Sequence, residues 1–282
     1  MKKTLIALAA GLAISNAAYA DSKVIGQVEQ QLINTGGSWD QNSADTRVGV
    51  KMSEDLGNGM RAYGIILWDI DSETGDTAVV RESYVGLGTN AFAIQAGKDL
   101  SAPKHVYNQT IDWYEGQSYT GQIGTRPDSQ VKVLGNVNGI EYAVAQIYDA
   151  GGEKGADSTA AMVGVPVGPA KLFATVNKDK VNDNDYYGIG GNVKFGTTQI
   201  GALYESMDEN DGTDKVVFKT AVLQHDIGKN KIIVGMQNKS EAADTINVEL
   251  QHNFSKKTRV YVGYKDVNVG DNTYLIGMKH KF

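Results

Sequence analysis

The stretch TINVELQHNF, residues 245–254, alternates apolar and polar side chains with a period of two. In an extended strand the apolar side chains would share one face: Ile246, Val248, Leu250 and Phe254. The polar side chains would share the other: Asn247, Glu249, Gln251 and Asn253. A helix would instead repeat its apolar positions every three to four residues. The stretch therefore predicts a β-strand with one apolar and one polar face.

The same alternation recurs along the chain, for example in KVIGQVEQQLI (23–33), TRVGVKM (46–52) and AKLFATVN (170–177). Counting such segments divides the chain into sixteen predicted strands. They lie near 23–33, 46–53, 60–70, 78–87, 91–98, 129–134, 140–148, 159–165, 170–177, 186–195, 198–206, 215–226, 231–238, 245–254, 258–267 and 273–282. The predicted fold class is therefore all-β.

The connections between these segments alternate in kind. One set is short and rich in Gly, Asn and Lys, such as DLGNG (55–59), GKN (228–230) and SKK (255–257). The other is mostly longer and acidic, such as DIDSETGD (69–76) and DENDGTD (208–214). Short turns at one end and long polar loops at the other are typical of an antiparallel up-and-down barrel that spans an outer membrane. A soluble β-sandwich of this length would need a domain boundary, and the sequence shows no linker.

The N-terminus has the three parts of a secretory signal peptide. A basic start at Lys2 and Lys3 precedes the apolar run TLIALAAGLAIS (4–15), and Ala18-Tyr19-Ala20 supplies small residues at a cleavage site. We expect residues 1–20 to be a signal peptide cleaved after Ala20, and residues 21–282 to form the barrel. No later apolar stretch approaches the roughly 18 residues of a membrane-spanning helix.

Composition excludes several other classes. Cysteine is absent, so the chain does not fit the small disulfide-rich secreted proteins. Two of the 27 basic residues lie in the signal peptide, and the 25 that remain against 33 acidic residues give the mature chain a net charge of about −8. Because no basic stripe stands out, nucleic acid is not an expected partner.

One segment breaks the alternation. From Asp99 to Asp128 the chain reads DLSAPKHVYNQTIDWYEGQSYTGQIGTRPD, and no sustained period of two is present. A loop of this length inside a compact domain is uncommon and usually functional. Its aromatic residues favour a loop that folds inward and packs against the barrel wall.

Four stretches resemble the general diffusion porins of Gram-negative bacteria: TRVGVKMSEDLGNGMRAYGIILW (46–68), RESYVGLGTNAFAIQAGKDLSAP (81–103), SKKTRVYVGYKDV (255–267) and YLIGMKHKF (274–282). The resemblance spans essentially the whole mature chain. It implies a sixteen-stranded outer-membrane barrel, a homotrimer and a third outer loop folded into the lumen. The chain departs from the family in its brief second outer loop, so the latching role that this loop has in the family is not carried over to this chain.

The resemblance also implies a pore constriction with a basic wall and an acidic loop. The wall candidates are Arg47, Lys51, Arg61, Arg81, Lys98, Arg126 and Lys132; the loop candidates are Asp112, Glu115, Tyr107 and Tyr114. Arg47 and Lys51 share the parity of Gly49 and are expected inside. Lys98 shares the parity of Phe92 and Ile94, which places it outside by counting, whereas the family position argues for inside. Arg61 shares the parity of Tyr63, Ile65 and Leu67, which allows an outer, headgroup-level position instead.

The last strand carries a separate set. Tyr274, Ile276, Met278 and Phe282 would form its lipid face, with Phe282 at the periplasmic edge of the membrane. In the family that the chain resembles, this terminal pattern is the signal read by the barrel-assembly machinery. Lys279 and Lys281 are expected to face water in the lumen or at the rim.

These features together predict an outer-membrane porin that passes ions and small hydrophilic solutes by passive diffusion, with mild cation preference. Expected partners are two further copies of the chain, outer-membrane lipids including lipopolysaccharide, the solutes and the assembly machinery. No cofactor, metal or enzymatic activity is expected: DIDSETGD lacks the Glu and the flanking helices of an EF-hand, and GLGTNA (86–91) opens no helix. A substrate-specific channel and a non-conducting surface receptor or structural barrel remain open alternatives.

Overall fold

The structure is a computed structural model that describes residues 20–70, 78–116, 126–148, 158–180, 183–210, 212–240, 242 and 244–282. The predicted signal peptide lies outside these residues except for Ala20, so cleavage after Ala20 stays a prediction. The described chain is built of antiparallel strands and one helix. The strands are β1 (Ala20–Thr35), β2 (Ser38–Asn42), β3 (Arg47–Gly57), β4 (Met60–Ile70), β5 (Ala78–Gly88), β6 (Ala93–Lys98), β7 (Gln130–Val137), β8 (Ile140–Ile147), β9 (Ser158–Val167), β10 (Ala170–Asp179), β11 (Asn184–Phe195), β12 (Thr198–Asp208), β13 (Val216–Ile227), β14 (Asn230–Lys239), β15 (Thr245–Asn253), β16 (Thr258–Val267) and β17 (Thr273–Lys281).

The sheet closes on itself. From β3 to β17 each strand pairs with the next along the chain, and β17 returns to β1 in a register that runs from Gln27 opposite Lys281 to Thr35 opposite Thr273. On its other side β1 pairs with β2 through Gln31–Thr35 and with β3 through Ala20–Gln27, so β2 and β3 form one interrupted wall strand. The barrel therefore has sixteen wall strands. The sixteen predicted strands are confirmed, and β2 is an additional segment that the alternation did not predict.

Side chains fill the gap between β2 and β3. The Glu29 backbone N–H donates to Thr46 Oγ1 at 3.0 Å, and that hydroxyl donates in turn to the Glu29 carbonyl at 2.9 Å. Gln27 Nε2 donates to the Asp45 carbonyl at 2.8 Å and to Asp45 Oδ2 at 2.7 Å. Since an unpaired buried backbone group costs free energy, these contacts keep the wall satisfied where the ladder is broken.

The two faces of the wall differ sharply. On β15 Ile246 and Leu250 are about half exposed, whereas Asn247 and Glu249 are fully buried. On β17 Tyr274, Ile276 and Met278 are exposed, as is Phe282 directly after the strand, and Leu275 and Lys279 between them are buried. We call the buried face the inner face and the exposed face the outer face. An apolar outer face around a polar inner one is the arrangement that a bilayer requires of a barrel.

Strand β4 corrects one expectation. Ile65 and Leu67 are 8% and 6% exposed, and Tyr63 hydrogen-bonds the buried Gln95, so these alternate residues lie on the inner face. Arg61 shares their parity and lies there too, so an outer, headgroup-level position for Arg61 is wrong. Between Arg61 and Asp69, near its two ends, β4 is apolar on both faces, so its middle gives no polar marker of the inner side.

Helix α1 (Ala102–Thr110) lies in the segment between β6 and β7. The Ser101 side chain caps it by accepting the Lys104 backbone N–H at 3.2 Å, and Pro103 lies in its first turn. Buried residues in and after the helix pack in one apolar cluster with inner-face residues of the wall: Val106, Tyr107, Ile111, Tyr114, Ala160, Phe173, Leu203, Val222 and Ile233. Among the residues that the structure describes, no helix has the length and apolar character to cross a bilayer.

Candidate functional site

Two water-accessible cavities meet beside α1. One, of about 600 Å³, is bordered by Asn42 and Ile70, where strands end at the long loops. The other, of about 560 Å³, is bordered by Ile25 and Phe282 at the opposite end of the wall. Both cavities are lined by Asp45, Arg81 and Asp112, so these three charged residues mark the place where the two cavities adjoin.

Arg47 and Arg81 carry positive charge at this junction. Arg81 Nη1 lies 3.0 Å from both carboxylate oxygens of Asp69 and 3.5 Å from Asp45 Oδ1. Arg47 Nη1 lies 3.3 Å from Asp45 Oδ1, and its Nη2 donates to Gln27 Oε1 at 3.3 Å. Asp45 belongs to the interruption between β2 and β3, so the break in the ladder places a carboxylate between two guanidinium groups.

Arg126 joins the same side from the segment before β7. Its Nε donates to Glu82 Oε1 at 3.1 Å, and it lines the 560 Å³ cavity with Arg47 and Arg81. Burial lowers the pKa of the Arg126 guanidinium, the charge of Arg81 lowers it further, and Glu82 opposes both. Arginine stays protonated at neutral pH. Lys281, at the end of β17, also lines this cavity, so four basic side chains border it.

Asp112 supplies negative charge just beyond the end of α1. Lys104 Nζ lies 3.3 Å from Asp112 Oδ2 and 4.0 Å from the centre of the Tyr107 ring. The ion pair therefore joins the first turns of α1 to the residues that directly follow the helix. Of the two predicted loop carboxylates, Asp112 is the one that lines both cavities.

Glu115 has a different position from the one expected. Its carboxylate forms ion pairs with Arg259 on β16 and Lys279 on β17, two wall residues. The backbone N–H groups of Glu115 and Gly116 donate to the two oxygens of Glu249 on β15, at 2.9 and 3.0 Å. Glu115 borders the 600 Å³ cavity, but these contacts make it an anchor of the segment rather than a free charge facing Arg81.

Buried charged residues lie directly behind the Glu115 anchor. Lys279 Nζ lies 2.7 Å from Glu29 Oε2, and Tyr261 Oη donates to Glu29 Oε1 at 2.7 Å. Glu29 and Glu249 are fully buried. Lys279 lies on the inner face, as expected, and borders the 600 Å³ cavity, but it is only 5% exposed because Glu115 and Glu29 enclose it.

Four of the predicted wall residues lie away from the junction. Lys132 is buried and pairs with Asp99, and Lys98 pairs with Asp128 at 2.6 Å, out of phase with the buried Ala93 and Gln95 on β6. Arg61 lines a separate cavity of about 440 Å³. Lys51 is exposed and lines none of the three cavities described here.

The two predicted loop tyrosines are mainly packing residues. Tyr107 is 3% exposed within the apolar cluster and contributes its ring to the contact with Lys104. Tyr114 is buried as well; its hydroxyl donates to the Asn247 carbonyl at 3.4 Å. Tyr114 also borders the 600 Å³ cavity, whereas Tyr107 borders neither cavity of the junction.

Several charged residues at the site were not predicted: Asp45, Asp69, Glu82, Glu249 and Arg259. The parity of Glu249 placed it on the polar face of its strand, but its partner depends on the path of the loop. Asp45 lies in a break of the alternation, which gave no signal of its own. In the described ranges, no group of three or more His, Cys, Asp or Glu side chains is arranged to hold a metal ion.

Comparison with known proteins agrees with this architecture. Residues 4–272 match the profile of a family described as Gram-negative porin. The anion-selective porin from Comamonas acidovorans superposes with a TM-score of 0.77 at 16% identity, over 93% of this chain and 100% of that chain. OmpF of Salmonella typhi, in complex with daunomycin, gives 0.77 at 13% identity over 94% and 98%, and a loop-deletion mutant of OmpT of Vibrio cholerae gives 0.75 at 19% over 94% and 100%. No curated protein sequence matches the chain significantly.

Proposed function

Because the chain belongs to the Gram-negative porin family, we propose that it conducts ions and small hydrophilic solutes across the outer membrane by passive diffusion. The observation that carries this proposal is the pair of cavities that adjoin at Asp45, Arg81 and Asp112. A route lined by charged groups replaces hydrocarbon with water for a polar solute, and no covalent step is needed.

The segment 99–116 is proposed to narrow this route as a loop inside the lumen. Support comes from its contacts, since α1 packs against inner-face residues of the wall and Glu115 and Gly116 reach β15, β16 and β17. With Asp112 on the segment and arginines on the wall, the narrow section would carry a transverse field. Such a field favours solutes that have a dipole to align.

Mild cation preference is the second element of the proposal. The mature chain carries a net charge of about −8. The wall arginines at the junction lie beside carboxylates, Arg81 with Asp69 and Arg126 with Glu82, so much of their charge is locally balanced. The acidic outer loops would concentrate cations at the entrance.

The chain is further proposed to work as a homotrimer in contact with lipopolysaccharide and to reach the membrane through the barrel-assembly machinery. In-vitro folded OmpT of Vibrio cholerae is described in a trimer form, which makes the same assembly a reasonable proposal for this barrel. Chemical cross-linking of the detergent-extracted protein, followed by denaturing electrophoresis, tests it. Discrete bands of one, two and three chains are expected, and a single monomer band would contradict the trimer.

Planar-bilayer recording tests conduction. Purified protein should give stepwise, ohmic current in salt solution, in groups of three steps for a trimer, and a salt gradient should give a reversal potential of the sign expected for cations. A reversal potential of the opposite sign would overturn the cation preference alone. Absence of any current from folded protein would overturn the channel and favour the receptor alternative, whereas saturation and block by one solute would favour a substrate-specific channel.

A further inference from the structure

A repeated pattern of residues lies on the outer face where β13, β15 and β17 approach the short-turn end of the barrel. Each strand has a histidine followed two positions later by an exposed apolar residue: His225 and Ile227, His252 and Phe254, His280 and Phe282. We call these three pairs, with the lysines of the adjoining turns, the histidine belt. The histidines belong to the outer face by parity, since Leu223, Leu250 and Met278, two positions before them, are exposed.

Each histidine of the belt is held in the same way. Its Nδ1 forms a hydrogen bond with the side chain directly opposite on the preceding strand of the chain. The partner is Thr198 Oγ1 for His225 at 2.7 Å, Asn230 Oδ1 for His252 at 2.8 Å and Thr258 Oγ1 for His280 at 2.9 Å. With Nδ1 occupied, Nε2 is the nitrogen left to bind a group outside the barrel.

The three histidines lie at a common depth. Ile227 and His252 both pair with Asn230, so the pattern advances by two residues between β13 and β15. In a barrel whose strands tilt by about 40°, residues at equal depth on strands two apart are offset by roughly 8 Å along the strand, which is about two residues. Equal depth at a strand end is where a barrel meets the headgroups of one leaflet.

Shared metal binding does not explain the pattern. Strands about 4.8 Å apart and tilted by about 40° separate side chains at equal depth on every second strand by roughly 12 Å. A zinc ion needs its nitrogen ligands at about 2.1 Å. The three imidazoles therefore face the membrane as separate contacts.

The turns beside the belt are basic. Lys229, Lys256 and Lys257 are all exposed there. Among the described residues of these strand ends, the acidic groups are Asp226, whose carboxylate lies 3.9 Å from Lys231 Nζ, and the C-terminal carboxylate. This local excess of positive charge contrasts with the net charge of −6 for the whole sequence and with the acidic long loops.

We propose that the histidine belt is a binding site for anionic phospholipid headgroups in the periplasmic leaflet of the outer membrane. Short turns lie on the periplasmic side of such barrels, which puts the belt in the phospholipid leaflet. The lysines attract the anionic phosphodiesters, and the imidazole Nε2 atoms hydrogen-bond phosphate oxygens. Leu223, Leu250 and Met278, which precede the histidines, lie along the acyl chains, and the aromatic residues after the histidines lie at the interface.

The experiment measures phosphatidylglycerol retained by the purified protein. Wild-type protein and the triple variant His225→Gln, His252→Gln, His280→Gln are reconstituted with phosphatidylcholine plus a minor share of phosphatidylglycerol, re-extracted in mild detergent, and the bound lipid is counted by native mass spectrometry. Glutamine can keep the cross-strand hydrogen bond, so the barrel should fold. The matched control is His105→Gln, since that histidine lies on α1.

We expect wild type and the His105→Gln control to retain phosphatidylglycerol in preference to phosphatidylcholine, and the triple variant to lose that preference several-fold. A second variant, Lys229→Gln with Lys256→Gln and Lys257→Gln, should lower retention in the same direction. Equal retention by wild type and both variants would overturn the proposal. Release of the bound lipid by millimolar inorganic phosphate would also overturn it, because the belt would then be a site for free anions. Retention of lipid by monomers but not by the native oligomer would overturn it as well, because the belt would then be a contact between copies of the chain.

Discussion

The carboxylate of Glu249 accepts the backbone N–H of Glu115 at 2.9 Å, although the two residues lie 134 positions apart in the chain. This contact, with its companion from Gly116, ties a loop between β6 and β7 to strand β15 on another part of the wall. Because Glu249 is fully buried, the hydrogen bonds form away from bulk water. The width available beside Asp112 therefore depends on a residue that does not border the junction.

Replacing Glu249 by Gln should weaken this attachment. One carboxylate oxygen that accepts a backbone N–H becomes a donor, so Gly116 or Glu115 loses its partner in a buried site, at a cost of about 1 to 3 kcal/mol in the free energy of unfolding. Urea unfolding in detergent measures the change, and open-channel current noise should rise. The exposed Glu209→Gln makes the same charge change and should alter neither quantity. Equal stability of Glu249→Gln and wild type would contradict the attachment.

Replacing Gly116 by Ala tests the same attachment by sterics. A Cβ at position 116 would collide with the Tyr261 ring and with Leu275 Cδ1, so we expect the segment to shift and the single-channel conductance to change. The control is Gly37→Ala, where a Cβ meets nothing within 4 Å although φ is +88°. That variant should lose about 1 kcal/mol through backbone strain and keep the wild-type conductance. Identical conductance in both variants would show that Gly116 does not set the pore width.

Asp112 and Arg81 should act on ion preference in opposite directions. Removing the loop charge with Asp112→Asn should lower the cation-to-anion permeability ratio, whereas Arg81→Gln should raise it. A unit charge about 4 Å from an ion in water is worth about 1 kcal/mol, so each change should stay below about fivefold. Reversal potentials in a salt gradient give the ratio, and Asp55→Asn, at the short turn before β4, is the control. Shifts of the same sign would contradict a route in which both of these charged groups face the passing ions.

Phe282 and Gly26 should be coupled in assembly. The Phe282 backbone N–H donates to the Gly26 carbonyl at 3.1 Å, and a Cβ on Gly26 would collide with the Phe282 ring. Both Phe282→Ala and Gly26→Ala should lower the fraction of folded, heat-modifiable barrel in outer-membrane fractions. Phe195→Ala, an exposed aromatic at another strand end, should have little effect. If Gly26→Ala assembles normally while Phe282→Ala does not, the terminal ring acts as a recognition signal and its packing on Gly26 is unimportant.

The wall was predictable because alternation is a local property. A strand with one face in lipid and one in water must repeat every two residues, so the strands β1 and β3 to β17 follow from the residues alone. Strand β2 did not follow, since Ser38–Asn42 has no apolar alternate set to mark it. For β4 the period of two was correct, but the outer position offered for Arg61 was wrong. Ile65 and Leu67, which share its parity, lie on the inner face although they are as apolar as the residue between them.

The site was predictable only in its composition. Arg47, Arg81, Arg126 and Asp112, four of the candidates taken from the family resemblance, line the two cavities, and their role at a pore constriction stays a prediction. Lys132 and Glu115 were also predicted to face the pore, but both form ion pairs that hold the loop. Lys132 pairs with Asp99, and Glu115 pairs with Arg259 and Lys279. Some charged side chains face water, and others form ion pairs that attach the loop to the wall. The path of this irregular loop decides which of the two each side chain does, and no periodicity of the sequence encodes that path.

The break between β2 and β3 is a part of the wall where side chains can be exchanged without a change to the strand pairing of the barrel. Because Thr46 and Gln27 already satisfy the backbone on either side, residues 43–45 carry no ladder hydrogen bonds that a new side chain would disturb. Asp45 nevertheless stands between Arg47 and Arg81. Related barrels could therefore acquire different solute preferences by exchanging these few positions, and a protein engineer could tune the same channel there while leaving strand number, tilt and register untouched.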